Sequence, residues 1–238
     1  MRYFLSFTIS LVLVSAGFSA VSCAKDQSAV TAQTGEATPT PPPANRPAPP
    51  NSPEEDKKTP ETPRPEIISR REWEAKAPVG EGKKQTIRFL TIHHTASLQK
   101  PGTPLERKMQ NLQNFSQSES KLADGRTKPA WFDVPYHFYI AVDGRIAEGR
   151  EIKFAGDTNT DYDPTGHALV VLEGNFEEET LTPAQIKALE KLTLWLVDQY
   201  KIPASDIKGH DDYASTACPG KNLKNLLPEL RKKVEEKR

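Results

Sequence analysis

The chain is 238 residues long, 27% of its residues are charged, and its 32 lysine and arginine residues are balanced by 32 aspartate and glutamate residues. A chain without net charge has no overall field to attract nucleic acid or an anionic membrane surface, so we expect no nucleic-acid partner. The charge balance leaves the class of substrate open.

Residues 1–23 have the pattern of a signal peptide. A cationic start at Arg2 precedes a long apolar run and a few small residues, which is typical of an export signal and not of a membrane span. The stretch Ala20-Val21-Ser22-Cys23 resembles a bacterial lipobox and predicts a lipid anchor on Cys23, with ordinary cleavage and a soluble product as the alternative. Ala24 favours sorting to the outer membrane, so we expect a periplasmic protein that a lipid anchors to that membrane.

Residues 24–65 are predicted to form a disordered, proline-rich tether. Eleven of the 21 prolines lie between Thr38 and Glu66, with almost no large apolar residue, so the segment cannot bury enough surface to offset the entropy of ordering. At ~3 Å per residue the tether would reach on the order of 100 Å. A linker with no spatial role is the alternative. Residues 66–238 are predicted to form one folded domain, and the motifs described below predict that it is catalytic.

The domain opens with a strand and a helix. The β-branched and aromatic run 87–92 predicts a buried strand that delivers His93 and His94 to the edge of a sheet. Apolar residues at three- and four-residue spacing predict an amphipathic helix over 104–122.

Three strands are predicted next. Residues 136–142 form one, and Asp143-Gly144 turns it into the antiparallel return 145–148. The continuous apolar run 168–172 is typical of a strand in the interior of a sheet.

Two helices complete the chain. Thr182, Pro183 and Gln185 form a capping signal for a helix that reaches about Tyr200, and apolar residues on one face predict a last helix over 223–234. The interleaved order predicts an α/β fold with a mixed central β-sheet flanked by helices on both faces.

Cys218 is the only cysteine left once a lipidated Cys23 is set aside. An unpaired thiol in an exported protein is prone to oxidation, so we interpret it as a zinc ligand. Catalytic zinc sites use three protein ligands and leave the fourth position to water. His210 and one of His93 and His94 would complete such a set. Neighbouring strand residues point to opposite faces, so we expect one of these two histidines to bind, and the residues alone leave open which.

Several motifs, in this order, resemble the zinc N-acetylmuramoyl-L-alanine amidases, a group that includes the peptidoglycan recognition proteins and the phage lysozyme-type amidases. The motifs occupy residues 68–73, 91–96, 136–138, 181–185, 209–210 and 217–220. The resemblance spans residues 67–230 and implies a fold like that of the peptidoglycan recognition proteins.

The resemblance also implies a site and a reaction. His93, His210 and Cys218 would bind Zn²⁺, and Tyr136 would be catalytic. The reaction would be hydrolysis of the amide between N-acetylmuramic acid and L-alanine in peptidoglycan or a muropeptide. Thr216 stands where many phage-type members have a catalytic lysine, so its hydroxyl is a candidate for stabilising the oxyanion.

Glu173 lies in a Leu-Glu-Gly sequence that resembles the anhydromuropeptide-type amidases, in which a glutamate is the general base. A carboxylate at the end of an interior strand is costly unless it is paired or functional. A role as base, a salt bridge and a contact behind the metal ligands are the alternatives for Glu173.

Four residues are candidates for binding the substrate: His94, Trp131, Asp157 and Asn159. Many relatives have a histidine where Asp157 falls. A turn-forming loop is the alternative for Asp157 and Asn159, and core packing is the alternative for Trp131.

Two other functions are weighed against the amidase. A non-catalytic peptidoglycan-binding lipoprotein would keep the fold for recognition alone, although such proteins commonly lack a metal ligand. A zinc peptidase that cuts within the stem peptide is disfavoured because the sequence contains no His-Glu-x-x-His motif.

Overall fold

The computed structural model describes residues 62–122 and 125–237. The predicted signal peptide, Cys23 and most of the predicted tether lie outside the described residues. Within the described part of the chain, no helix has both the length and the apolar character that a membrane crossing requires. The folded domain makes contacts from Thr62, before its predicted start at residue 66. The backbone N–H of Thr62 donates to Asp198 Oδ2 at 2.8 Å.

The described residues form a mixed α/β domain around a five-stranded sheet. In chain order its elements are β1 (Phe89–His94), α1 (Leu105–Ser116), β2 (Ser120–Lys121), β3 (Thr127–Lys128), β4 (Phe138–Ile140), β5 (Ile146–Glu148), β6 (His167–Leu172), α2 (Pro183–Tyr200), β7 (Ile207–Gly209), α3 (Lys221–Lys224) and α4 (Leu227–Glu236). The sheet order is β5-β4-β6-β1-β7, and β2 pairs with β3 separately.

The centre of the sheet is parallel, and β5 alone among these five strands runs antiparallel to its neighbour. β1 lies between β6 and β7, parallel to both, and β4 is parallel to β6 and antiparallel to β5. All six residues of β6 are buried, which is expected for a strand covered on both faces. The predicted interior strand and the predicted hairpin are therefore confirmed.

Helices cover both faces of the sheet. Alternate residues of β1, such as Leu90 and Ile92, pack with the leucines of α2 and α4 in one core cluster. The opposite face packs Tyr139 and Val171 with Trp73 and with Met109 of α1 in a second cluster. This arrangement confirms the predicted α/β fold.

The start of α2 is also confirmed. The Thr182 hydroxyl accepts from the Gln185 N–H at 3.1 Å, and the Gln185 side chain accepts from the Thr182 N–H at 3.1 Å. This reciprocal capping box satisfies two donors that the first helical turn would otherwise leave free.

Two predicted helices differ from the observed ones. α1 ends at Ser116 and not near 122, because the ammonium group of the buried Lys128 takes the carbonyls of Ser116 and Ser118. The helix predicted over 223–234 is two helices, α3 and α4. Pro228 explains the break, since it has no N–H to continue the hydrogen bonding from α3.

Candidate metal centre

The parallel pairing of β1 with β7 brings the two halves of the candidate site together. Ile92 lies opposite Gly209 in the register of these strands. His93 and His210 are the next residues, so both side chains emerge at the same edge of the sheet. His210 opens a short 3-10 helix, His210–Asp212, and the chain then turns back to place Cys218 beside His93.

Three side chains converge at this edge. The candidate ligand atoms of His93, His210 and Cys218 all lie within 4.8 Å of one another. His93 Nδ1 is 3.6 Å from Cys218 Sγ, and the rings of His93 and His210 have centroids 4.6 Å apart. Zinc–nitrogen and zinc–sulfur bonds of about 2.05 and 2.3 Å at a tetrahedral angle require a nitrogen–sulfur separation of ~3.6 Å. The separation of this pair therefore suits two ligands of one zinc ion.

The neighbouring His94 points to the other face of the sheet. Its Nδ1 accepts a hydrogen bond from the Phe176 N–H at 3.2 Å, and its ring lies 6.3 Å from that of Phe176. The structure therefore brings His93, and not His94, to His210 and Cys218. His94 supports the site through its backbone, whose N–H donates to Cys218 Sγ at 3.4 Å.

Burial keeps the three candidate ligands uncharged in the protein alone. Burial lowers the pKa of His93 well below its usual value, and the nearby His210 lowers it further. Burial lowers the pKa of His210 to about 4. It raises the pKa of the Cys218 thiol to about 12, against the opposing effect of the His94 N–H. Both imidazoles are thus in the neutral form that binds metals, and the thiol must lose its proton when an ion binds.

The loop that carries His210 is held by ion pairs. Asp212 Oδ2 accepts from the Gly209 N–H at 2.8 Å. Lys224 of α3 reaches Asp211 at 2.7 Å and Asp212 at 2.6 Å. These contacts fix the backbone on either side of His210.

A cleft of about 330 Å³ opens over the three side chains. Its walls include all the substrate-binding candidates and two of the catalytic candidates: His94, Trp131, Asp157, Asn159, Tyr136 and Thr216. The Tyr136 ring lies 5.2 Å from that of His93, and burial raises the pKa of its phenol above the usual value. Thr216 Oγ1 accepts from the Cys218 N–H at 3.2 Å, so its own hydrogen remains available to donate.

Two buried cations brace the cleft walls. Trp131 lies over the Lys128 ammonium, which is 4.4 Å from the ring centroid. Arg150, whose side chain is 2% exposed, forms an ion pair with Asp157 and donates to the carbonyl oxygens of Asp133 and Val134 at 2.9 Å. Sequence reasoning identified neither cation, because lysine and arginine are usually solvent-exposed.

Glu173 is not among the groups that line the cleft in the described part of the chain. Its carboxylate is 2.7 Å from Lys108 Nζ of α1, and both side chains are less than 10% exposed. It also accepts from the backbone N–H groups of Lys100 at 2.8 Å and Val142 at 3.0 Å. Of the three roles considered for Glu173, these contacts support the salt bridge.

The chain is similar in sequence to a family of amidases and to a peptidoglycan-recognition protein. Residues 83–221 match the family described as N-acetylmuramoyl-L-alanine amidase. Peptidoglycan-recognition protein SC2 of Drosophila melanogaster is 30% identical over 164 residues, which are 68% of this chain and 84% of that protein.

Solved structures with the same fold include amidases and peptidoglycan recognition proteins. The N-acetylmuramoyl-L-alanine amidase LysC from Clostridium intestinale aligns with a TM-score of 0.56 and 26% identity, over 72% of this chain and 98% of its own. A mutant of Drosophila PGRP-LB, in complex with tracheal cytotoxin, aligns with a TM-score of 0.55 and 26% identity, over 67% of this chain and 90% of its own.

Proposed function

The chain belongs to the N-acetylmuramoyl-L-alanine amidase family, and from this premise we propose that it is a zinc-dependent amidase that cleaves the bond between N-acetylmuramic acid and L-alanine in peptidoglycan or its fragments. The observation that carries the proposal is the convergence of His93, His210 and Cys218 in an open cleft. Two imidazoles and one thiolate are a ligand set that zinc prefers, and three protein ligands leave a position for water.

The ion's contribution would be to polarise the scissile carbonyl and to lower the pKa of a bound water toward ~7. His93, His210 and Cys218 would hold the ion in the cleft, where Tyr136 and Thr216 are candidate donors among the lining residues.

Tyr136 would act as a neutral hydrogen-bond donor. Because burial raises its pKa, the phenol keeps its proton at neutral pH and can orient the attacking water or the carbonyl oxygen. Thr216 would supply a second neutral donor, since its oxygen is already used as the acceptor for the Cys218 N–H. Donors that point at developing negative charge stabilise the transition state.

Trp131, Asp157 and Asn159 would bind the sugar or the peptide on either side of the scissile bond. All three line the cleft, and the ion pair of Asp157 with Arg150 holds the loop that carries two of them. The tracheal cytotoxin complex of the related PGRP-LB mutant supports a ligand of this kind.

The export signal and the lipobox-like sequence extend the proposal to location. We propose that Cys23 carries a lipid, that residues 24–65 are a tether, and that the domain acts on the cell wall from the periplasmic face of the outer membrane. Metabolic labelling with a fatty-acid probe tests this: the full chain should incorporate the label and the Cys23→Ser variant should not.

A non-catalytic peptidoglycan binder is the second candidate. The Drosophila melanogaster relative is a recognition protein by its name, so the fold alone does not separate binding from hydrolysis. The presence of Cys218 together with both histidines favours the enzyme.

The decisive experiment incubates the purified, zinc-loaded protein with sacculi and identifies the products by mass spectrometry. Free stem peptides beginning with L-alanine are the expected products, and Cys218→Ser should abolish their release while the variant still binds sacculi. Release of nothing by a protein with one bound zinc would support the binder, and fragments cut within the stem would support a peptidase.

A further inference from the structure

We propose that Thr160 is a positioning residue for the metal centre: its hydroxyl oxygen accepts a hydrogen bond from Nε2–H of His210 and thereby keeps the Nδ1 lone pair of that ring free for the ion. The inference rests on the metal-dependent function proposed above. It concerns the protein before metal binds as well as after.

The contact itself is short and partly buried. Thr160 Oγ1 lies 2.8 Å from His210 Nε2, and His210 is 7% exposed. A neutral imidazole carries its hydrogen on one of its two nitrogens, and the hydrogen bond made by one nitrogen decides which of them remains free to bind a metal.

The other candidate histidine ligand has no such support. His93 Nε2 is buried and has no hydrogen-bond partner among the described residues. The position of His93 is set instead by β1, in which it is paired with Val171 of β6. His210 lies beyond the end of β7, so its ring depends more on side-chain contacts for its orientation.

A second threonine can accept the hydrogen of the Thr160 hydroxyl when His210 donates to Thr160. Thr158 Oγ1 is 2.7 Å from Thr160 Oγ1 and also accepts from the Thr160 N–H at 3.1 Å. If His210 donates to Thr160, the Thr160 hydroxyl can donate in turn to Thr158. In that arrangement each of the three groups has a partner.

The loop that carries both threonines is fixed at two further points. The Asp157 carboxylate is paired with the buried Arg150, and the Asn159 carbonyl accepts from the Arg126 guanidinium at 2.9 Å. A hydroxyl held in this way can impose an orientation on the ring, whereas a mobile side chain would only follow it.

The first test measures the tautomer of His210 in the metal-free full chain at neutral pH, by ¹⁵N chemical shifts of the ring nitrogens. The wild-type protein should have the hydrogen on Nε2, and Thr160→Val should lose this preference. A hydrogen on Nδ1 in the wild-type protein would overturn the proposal.

The second test measures zinc affinity by competition with a chelator. Thr160→Val should bind zinc ~10–100-fold more weakly, the usual effect of removing a partner of a metal ligand, and Thr160→Ser should retain wild-type affinity. Thr193→Val is the matched control, because this buried threonine lies in α2 and its hydroxyl has no partner among the described residues.

The outcomes separate this inference from the proposed function. Unchanged affinity in Thr160→Val, with a wild-type protein that binds one zinc, would refute the role of Thr160 alone. A wild-type protein that binds no zinc would refute the proposed function, and the tautomer measurement would still decide whether Thr160 orients His210.

Discussion

The buried ion pair of Glu173 and Lys108 separates a structural role for this glutamate from a role as the general base. The exposed fractions of the two side chains are 4% and 9%, and their charged atoms are 2.7 Å apart. Glu173→Gln would leave the Lys108 ammonium buried without a counter-charge. Breaking such a pair from one side costs ~3–5 kcal/mol, which in a domain of this size corresponds to a fall of roughly 6–20 °C in Tm.

Lys108→Met is expected to cost less. Without the lysine, the Glu173 carboxylate still accepts from the backbone N–H groups of Lys100 and Val142, so the loss should be ~1–3 kcal/mol. The double variant Glu173→Gln/Lys108→Met contains no buried charge at this position. We expect it to be more stable than the sum of the single variants predicts, by ~2 kcal/mol.

Urea denaturation of the wild-type protein, the two single variants and the double variant measures these free energies of unfolding. The release of product from sacculi gives kcat, and it is assayed at a temperature well below the lowest Tm of the four proteins. We expect a large loss of stability in Glu173→Gln, with kcat close to that of the wild-type protein. A fall in kcat of ~10²-fold or more, the scale of general-base catalysis, with unchanged stability would instead identify Glu173 as the base and refute the structural role.

Two further predictions concern Thr216 and His137. Thr216→Val should lower kcat by ~10²-fold or more, as for loss of one oxyanion donor, with unchanged zinc content, and Thr216→Ser should restore it; equal kcat in all three proteins would remove Thr216 from the mechanism. His137 is fully buried, and burial lowers its pKa from 6.5 to about 4. Its contribution to stability is therefore complete above pH 6.5 and is lost as the pH falls toward 4, because the unfolded chain takes up the proton first. The loss is up to ~1.4 kcal/mol per pH unit, so the free energy of unfolding of His137→Gln should depend less steeply on pH in this window. An unchanged slope would contradict the assignment.

The hydrogen bonds of His137 explain why protonation should be costly there. Its Nδ1 accepts from the Leu169 N–H at 2.8 Å, and its Nε2 lies 2.9 Å from the Phe154 carbonyl. The neutral ring with hydrogen on Nε2 satisfies both contacts. A second hydrogen on Nδ1 would face the Leu169 N–H and remove this side-chain hydrogen bond to β6.

The elements that the sequence predicted are those whose signal is local. The capping residues before α2 and the apolar run of β6 identify their elements without reference to the rest of the chain. The break between α3 and α4 also has a local signal, Pro228, but the regular spacing of the leucines on both sides predicted one continuous helix. The early end of α1 could not be predicted from local sequence, because it depends on a contact with Lys128, which lies in a strand that follows the helix.

The same distinction applies to the site. The residue types and the alternation along β1 predicted that only one of His93 and His94 would face the other candidate ligands, and the resemblance indicated which. Thr160 could not be identified, because a threonine in a polar loop gives no sign of a contact with a histidine 50 residues later. Contacts of this kind are set by how loops pack over the sheet edge, which sequence periodicity does not describe.

The charge of the site depends on the protonation of the Cys218 thiol and on the neutral residue, Thr216, at position 216. Two neutral imidazoles and a neutral thiol give the metal-free site no charge, as their shifted pKa values require. Loss of the Cys218 proton on binding a dication would leave one net positive charge at the floor of the cleft. Thr216 and Tyr136 add no charge, so in the proposed mechanism the positive charge available to an oxyanion comes from the centre alone, and the two hydroxyls direct it. A lysine at position 216 would add a second cation beside the centre, whereas the threonine adds no charge and its hydroxyl accepts from the Cys218 N–H and thereby helps to hold the ligand loop.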